Sequence, residues 1–290
     1  MSDEKLIVTK SKLDALATSI STKSGVATPM TIAQMKAAVD NLACGTITQD
    51  ADGYLVISGE GDATPRWTAD EIAVRNFTDS IILTTPLSVA QSAFHGSNIV
   101  SVQSNEIIVL NNSYPFADCK NLTTVNFPNT TNLSGKYAFS GCSSLTTVNM
   151  KKADAGGGGW TFRYCTNLET ISLPVSGVSS EAFGYCSKLY AIDLGGNIVG
   201  SNTFINDTLL TTLILRKNSV CSLANINAFT GTPFASGGTG GTLYVPSALI
   251  SSYQSATNWS TILGYTNNQI LPIEGSIYET QYADGTSISS

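Results

Sequence analysis

The sequence predicts a mainly β solenoid with short helices, made of stacked copies of one repeat, and three observations indicate it. Phenylalanine recurs every 21 to 25 residues through the middle of the chain. In five successive copies the sixth, ninth and eleventh positions after this phenylalanine are apolar. Only 12% of the residues are charged, so Ser, Thr and Asn supply most of the polar surface. A surface of hydroxyls and amides suits a sheet better than it suits charged amphipathic helices.

The repeat frame reads FADCKNLTTVNF at Phe116 and FINDTLLTTLIL at Phe204, which is the L-x-x-L-x-L signature of a leucine-rich repeat. Val125 and Phe127 are two residues apart and face one side of a strand, while Thr124 and Asn126 face the other. One such strand cannot bury its apolar face alone, so successive copies must stack. The opening phenylalanines are expected to fill the core from the opposite side: Phe94, Phe116, Phe139, Phe162, Phe183, Phe204 and Phe229.

A cysteine recurs three residues after the phenylalanine, at Cys119, Cys142, Cys165 and Cys186. The same position holds Ser97 in an earlier copy and Asp207 in a later one. A metal site does not alternate cysteine with serine in this way, and the spacing matches no zinc motif. The pattern therefore predicts structural thiols that cap neighbouring backbone groups, and no metal site.

The N-terminal residues 1–45 predict a helical segment for attachment or oligomerisation. A capping box at Thr31 and Gln34 indicates one helix, and a short heptad-like pattern precedes it. Residues 46–65 predict a β-hairpin with an Asp-Gly turn, followed by a linker. The apolar residues assigned to attachment or oligomerisation are Leu6, Leu13, Leu16, Ile20, Ile32, Met35 and Val39.

The frame A-F-x-x-C-x-x-L-x-x-V-x-F/L resembles the BspA-type leucine-rich repeat over about residues 90–273. This resemblance implies a solenoid over 66–242, a helical cap over 243–273 and a polar tail over 274–290. Pro246 is placed to begin the cap helix, and Trp259 to seal the last repeat. The run MKKADAGGGGW departs from the family, because glycines replace the usual second short strand. Proteins with such repeats are mostly surface binders: bacterial adhesins, protozoan surface proteins and some phage tail proteins.

The motif TIAQMKAAVDNL, followed by the hairpin TITQDADGYLVIS, resembles the N-terminal segment of tail proteins from phages of gram-positive bacteria. That resemblance covers about 60 residues. It implies attachment to other tail proteins, homo-oligomerisation with a trimer favoured, and a distal part that meets the host. The expected location is the virion, after assembly in the host cytoplasm; the alternative is the cell surface.

Charge and hydropathy exclude several classes of function. The net charge of −6 and the pI of about 4.7 offer no basic field for nucleic acid. The acidic start MSDEKLIVTK has no apolar core of a secretory signal, and no apolar run is long enough to insert into a membrane. We therefore expect no nucleic-acid partner and no membrane insertion.

No constellation of residues predicts catalysis. His95 is the only histidine, so a nucleophilic triad would rest on it alone. The carboxylates of Glu169, Glu181 and Asp193 are spread over successive copies and form no pair for glycan cleavage. Asp50 and Asp52 begin an acidic loop that lacks the distal glutamate of a calcium site. The sequence predicts a non-enzymatic protein with no catalytic residue, no metal and no cofactor.

Binding residues are predicted on two surfaces. Trp160, Arg163, Tyr164, Tyr185 and Tyr190 cluster in two successive copies, where aromatic faces could stack on sugars or simply pack at an edge. Outward strand positions add Asn126, Asn149 and Asp193, whose amide and carboxylate groups suit sugar hydroxyls or serve only solubility. The predicted function is a phage tail-tip receptor-binding protein that contacts a glycan or protein of the host surface. The alternatives are a bacterial cell-surface adhesin and a structural tail spacer.

Overall fold

The computed structural model describes residues 6–8, 46–49, 55–58, 80–82, 87–89, 91–92, 94–105, 108–153, 158–196 and 198–279. Its N-terminal part contains the strands β1 (Leu6–Val8), β2 (Thr46–Gln49) and β3 (Leu55–Ser58). They form an antiparallel sheet in the order β1-β3-β2, with β2 and β3 at the position of the predicted hairpin.

The heptad interpretation is wrong at its first residue. Leu6 lies in β1 opposite Ile57, rather than on a helix. Leu-Ile-Val is a run of good strand formers, and pairing with the free edge of β3 satisfies its backbone hydrogen bonds. The other predicted attachment residues lie outside the described part of the chain: Leu13, Leu16, Ile20, Ile32, Met35 and Val39.

The repeats stack in parallel, as the frame predicts, and their strands are divided between two sheets. The first sheet contains β4 (Ser80–Ile82), β6 (Ser101–Gln103), β8 (Thr124–Asn126) and β9 (Thr147–Asn149). The second contains β10 (Thr170–Leu173), β11 (Ala191–Leu194), β13 (Thr212–Leu215), β15 (Thr242–Val245) and β16 (Gln269–Pro272). Equivalent residues are in register, with Val102, Val125 and Val148 side by side.

Short strands line the opposite side of the solenoid. β5 (Leu87–Ser88) pairs in parallel with β7 (Ile108–Val109), and β12 (Ile198–Val199) pairs in parallel with β14 (Ser222–Leu223). Isolated bridges extend these pairs to Asn132 and Val178. The copy between those two residues forms no such strand in its described part, which matches the glycine run noted above.

The core is continuous along the repeats. Val125 and Phe127 are fully buried, while Thr124 and Asn126 are only partly buried, as their alternation predicts. The repeated phenylalanines stack on one another from Phe94 to Phe229, with neighbouring ring centroids 4.9–6.0 Å apart. The stack of phenylalanine rings continues past the point where the strands divide into two sheets, between β9 and β10. At that point the Phe139 amide still donates to the Thr161 carbonyl at 2.8 Å.

The cysteines are the structural thiols that the sequence predicts. Each donates from Sγ to the carbonyl oxygen of the phenylalanine one repeat earlier, at 3.0–3.3 Å: Cys119 to Phe94, Cys142 to Phe116, Cys165 to Phe139 and Cys186 to Phe162. All four are buried and form no disulfide. Burial raises the pKa of the Cys142, Cys165 and Cys186 thiols, which keeps the proton that this hydrogen bond needs.

Asp207 takes the place of the next cysteine, and its buried carboxyl is expected to make the stability of the fold depend on pH. Burial raises the pKa of Asp207 well above its usual value, although its Oδ1 accepts the Cys186 amide at 2.7 Å. The native carboxyl therefore keeps a proton that the unfolded chain, with a pKa near 4, releases. We expect the free energy of unfolding to fall as pH rises from about 4 towards the native pKa.

Asp207→Asn tests this dependence, because the amide retains an acceptor for Cys186 and cannot ionise. Urea unfolding at pH 4.5 and pH 7.5 should show a smaller loss of stability for the variant than for the parent. Glu169→Gln, at an exposed carboxylate, should leave the parent pH profile unchanged. Identical profiles for Asp207→Asn and the parent would contradict this assignment.

The C-terminal part both caps the core and extends the sheet. A 3₁₀ turn at Ser247–Leu249 follows Pro246 and leads into the helices α1 (Ile250–Ser255) and α2 (Trp259–Leu263). Trp259 is fully buried, lies 5.9 Å from Phe229 and donates from Nε1 to the Cys221 carbonyl at 2.6 Å. The strand ladder continues through β15 and β16, past the predicted boundary at residue 242.

Residues 273–279 belong to the fold, although the sequence predicted a polar tail from 274. Tyr278 packs edge-on against Tyr244 at 4.8 Å, and its carbonyl accepts a 2.7 Å hydrogen bond from Arg216. This segment covers the outer face of the second sheet.

Within the described residues, no helix has the length and apolar character that crossing a bilayer requires.

Candidate binding site

Two columns of residues flank the buried phenylalanines along the solenoid. The first column lies two residues before the phenylalanine: Ser92, Tyr114, Tyr137, Trp160, Glu181 and Asn202. The second column lies two residues after it: Gly96, Asp118, Gly141, Tyr164, Tyr185, Asn206 and Gly231. All thirteen residues have a φ between 52° and 76°, in the left-handed region.

Backbone hydrogen bonds join successive repeats on both sides of the phenylalanine. The amides of Tyr137, Phe139 and Gly141 all donate along the solenoid to the next repeat, at 2.8–3.0 Å. The left-handed residues at both columns occur together with this ladder in successive copies. The conformation at the two columns is therefore a property of the repeat.

Glycine and asparagine adopt this conformation at low cost, whereas bulky residues do not. Five positions nevertheless hold large aromatic residues, which we call the aromatic ridge: Tyr114, Tyr137, Trp160, Tyr164 and Tyr185. In the first column Tyr137 stacks on Tyr114 at 4.6 Å and on Trp160 at 4.8 Å. In the second column Tyr164 stacks on Tyr185 at 4.8 Å. Tyr114 and Tyr164 are both exposed.

Arg163 joins the two columns. Its guanidinium carbon lies 4.5 Å from the ring centre of Tyr164 and 5.1 Å from that of Tyr185. Its Nε lies 2.9 Å from Glu181 Oε2, in the first column. Because Glu181 already compensates its charge, Arg163 holds the ridge together and adds no net positive field.

Sequence reasoning found Trp160, Arg163, Tyr164 and Tyr185, and the structure places these four together. It missed Tyr114 and Tyr137, although each sits two residues before a repeat phenylalanine, as Trp160 does. An aromatic residue two positions before the repeat phenylalanine was the signal in the sequence that could have identified Tyr114 and Tyr137. The structure also corrects the geometry, because neighbouring rings stack on one another and most of their faces are already covered.

Tyr190 does not belong to this cluster. It is half-buried on the strand side, where it packs with Tyr244 and Tyr278 around Ala191, Ile214 and Ile273. Asp193 is likewise not available to a ligand, because only 1% of it is exposed. Its Oδ2 accepts Arg216 Nη2 at 2.7 Å beneath residues 273–279. No pattern in the sequence indicates that the C-terminal segment covers these outward positions.

Asn126 and Asn149 do lie side by side on the outer face of the first sheet, as predicted. Asn149 Nδ2 donates to Asn126 Oδ1 at 2.6 Å, and both side chains are partly buried. Their amides are therefore already engaged with each other. This pair resembles a sheet-stabilising amide ladder more than an open binding surface.

Metal chemistry has no support in the described part of the chain, where no group of three or more His, Cys, Asp or Glu is placed to hold an ion. His95 Nε2 lies 3.2 Å from Asp118 Oδ2 on the surface beside the ridge. What the arrangement offers is an aromatic and hydroxyl surface on a rigid support.

Fold and site together define a leucine-rich-repeat solenoid with an aromatic surface. A family model described as "BspA type Leucine rich repeat region" matches residues 74–189 and 157–236, with six copies. These residues make up more than half of the chain, and the protein belongs to this family. Repeats of this kind typically form non-enzymatic scaffolds for protein or surface interactions, and no catalytic family is indicated.

Among solved structures, the crystal structure of a leucine-rich repeat protein from T. pallidum, TpLRR, is similar. The alignment covers 69% of this chain and 68% of that one, at 15% identity and a TM-score of 0.27. No curated protein matched the sequence.

Proposed function

We propose that this protein is a non-enzymatic receptor-binding protein of a phage tail tip, whose aromatic ridge contacts the envelope of a bacterial host. The observation that carries the proposal is the left-handed backbone of all five ridge aromatics. Strained conformations at bulky residues concentrate where a protein binds or reacts.

The ridge aromatics carry a backbone cost that an asparagine would reduce. A left-handed conformation costs roughly 1–2 kcal/mol per non-glycine residue, or about 3–6 kcal/mol for the three aromatics of the first column. Each of their two stacking contacts contributes about 0.5–1.5 kcal/mol beyond the area that the rings bury. The same columns hold Asn202 and Asn206, which meet the backbone requirement at lower cost. We therefore assign the aromatics to ligand contact.

The assignment to a phage tail is supported by the resemblance of TIAQMKAAVDNL and the following hairpin to tail-protein N-termini. In this proposal residues 1–45 join the protein to other tail proteins as a homo-oligomer, with a trimer favoured, and the solenoid is distal. A cell-surface adhesin would use the same ridge and differ in its location.

One experiment addresses both parts of the proposal. Labelled full-length protein should bind intact gram-positive host cells, and antibodies to it should mark the tail tips of purified particles in electron micrographs. The double variant Trp160→Asn/Tyr185→Asn should lose at least 10-fold in cell binding. Its free energy of unfolding should stay within about 1 kcal/mol of the parent, because relieved strain offsets lost stacking.

Leu209→Ser is the matched control, since Leu209 is an exposed apolar residue outside both columns. It should bind cells like the parent. Undiminished binding by the double variant would rule out the ridge as the contact surface. Antibody label on bacterial surfaces, with none on particles, would show that the protein is a cell-surface adhesin and not a tail protein.

A further inference from the structure

We infer that the ridge contains a binding site for one neutral pyranose ring, at the point where Gly141 interrupts the second column. This inference rests on the proposed function and specifies the ligand class that the ridge would recognise. The second column runs Asp118, Gly141, Tyr164 and Tyr185 through four successive repeats. Gly141 donates its amide to Arg163, and Asp118 donates its amide to Ser140, so these positions follow one another along the solenoid.

Tyr164 adjoins Gly141 on one side in its column and Tyr185 on the other, and its ring stacks on that of Tyr185 at 4.8 Å. The Arg163 guanidinium carbon lies 4.5 Å from the Tyr164 ring centre, and it also contacts Tyr185 and pairs with Glu181, both in the later repeat. Tyr164 is 41% exposed. The four other ridge rings have a non-glycine residue on both sides in their column, so we place the sugar on the side of Tyr164 that faces Gly141.

Asp118 supplies hydrogen-bond acceptors next to Gly141. A Cβ added at Gly141 would collide with Asp118 Oδ1, which shows that the carboxylate reaches over the glycine. Its other oxygen lies 3.2 Å from His95 Nε2, which fixes its direction, and 55% of its side chain is exposed.

These features match a sugar. The weakly positive C–H groups on one face of a pyranose complement the negative face of an aromatic ring. A carboxylate beside that ring accepts hydrogen bonds from the hydroxyls of the same sugar and strengthens them by its charge. Arg163 is neutralised by Glu181, so the Asp118 carboxylate disfavours anionic sugars.

A quaternary ammonium ion is the competing ligand, because it too prefers an aromatic face near a carboxylate. Such cations bind well in desolvated cages and only weakly at exposed sites. Asp118 and Tyr164 are both exposed, which favours a ligand that hydrogen-bonds through hydroxyls.

The test uses full-length protein and saturation-transfer NMR with methyl glycosides of glucose, galactose and N-acetylglucosamine. Galacturonate and choline serve as charged probes. We expect transfer to at least one neutral glycoside, with little to galacturonate or choline. Tyr164→Asn should lower the affinity at least 10-fold, and its fold is preserved because Asn206 occupies the same column.

Gly141→Ala should also abolish sugar binding by displacing Asp118. Gly231→Ala is its matched control, because it has the same backbone conformation and a Cβ there would collide with Asn206 Oδ1 in the same way. Gly231→Ala should bind sugar like the parent. Equal binding by Gly141→Ala and Gly231→Ala would overturn the site.

Comparison with cell binding separates the two proposals. Loss of host-cell binding in Tyr164→Asn, without transfer to any neutral glycoside, would overturn the sugar site and leave the ridge as a receptor-binding surface. Sugar binding that is lost in Tyr164→Asn, by a protein that does not bind host cells, would support the site and overturn the proposed function. Stronger transfer to choline than to every glycoside would overturn the sugar site in favour of a cation.

Discussion

Phe139→Ala is expected to lower the free energy of unfolding by about 3–5 kcal/mol. Phe139 is fully buried between Phe116 and Phe162, with both ring centroids 5.4 Å away. Removing its ring leaves a cavity in the middle of the stack. Repeats on both sides hold the surrounding backbone in place, so the structure cannot collapse to fill the cavity. Because each repeat is stabilised by its neighbours, the loss should spread to the adjacent copies. Urea unfolding gives the magnitude, and hydrogen exchange at the Phe116 and Phe162 amides reports the spread.

Lys136→Ala is the control for this variant, since Lys136 lies in the same repeat with an exposed side chain. It should unfold like the parent. Unfolding curves of Phe139→Ala that superimpose on those of the parent would mean that the phenylalanine stack contributes little to the solenoid.

Arg216→Met is expected to destabilise the protein by a comparable 3–5 kcal/mol, because it leaves the buried Asp193 without its partner. Arg216 binds both carboxylate oxygens of Asp193 from Nε, at 3.0 and 2.8 Å, and holds residues 273–279 through the Tyr278 carbonyl. Burial raises the pKa of Asp193, and the Arg216 hydrogen bonds and charge act against that rise. Without Arg216 the carboxyl should take up a proton on folding, so the deficit of the variant should be larger at pH 7 than at pH 4.

The double variant Asp193→Ala/Arg216→Met distinguishes an unpaired charge from lost packing. Removing both partners of a buried pair costs much less than removing one. The double variant should therefore recover most of the stability lost in Arg216→Met, in urea unfolding at pH 7. A double variant as unstable as Arg216→Met would show that the docking of residues 273–279 dominates instead.

Much of the fold follows from residues that are visible in the sequence. The spacing of Phe116, Phe139 and Phe162 predicts stacked repeats, and the alternation of Val125 and Phe127 predicts the buried face of β8. The rotation of Cys, Ser and Asp through one position predicts backbone capping. These inferences succeed because each repeat must bury the same face against its neighbours, so one local pattern determines the whole array.

The candidate site was only partly predictable. Trp160, Arg163, Tyr164 and Tyr185 are close in sequence and were found, whereas Tyr137 lies one repeat earlier and Tyr114 two repeats earlier. Tyr190 is close in sequence to Tyr185 but turns to the strand side. The sequence pattern predicts an outward polar side chain at Asp193. In the structure residues 273–279, at least 80 positions later in the chain, cover it.

The sequence by itself determined the repeat, its buried face and the role of the cysteines, because these depend on contacts between equivalent positions in adjacent copies. Only the tertiary structure decided which outward residues stay accessible and which aromatic faces remain open. Those outcomes depend on backbone conformation at the two columns and on the docking of residues 273–279 over the second sheet. The left-handed conformation repeats, but residues as different as Gly, Asn, Glu and Tyr occupy it, so no residue pattern reveals it. The docking of residues 273–279 occurs only once, so no periodic pattern records it.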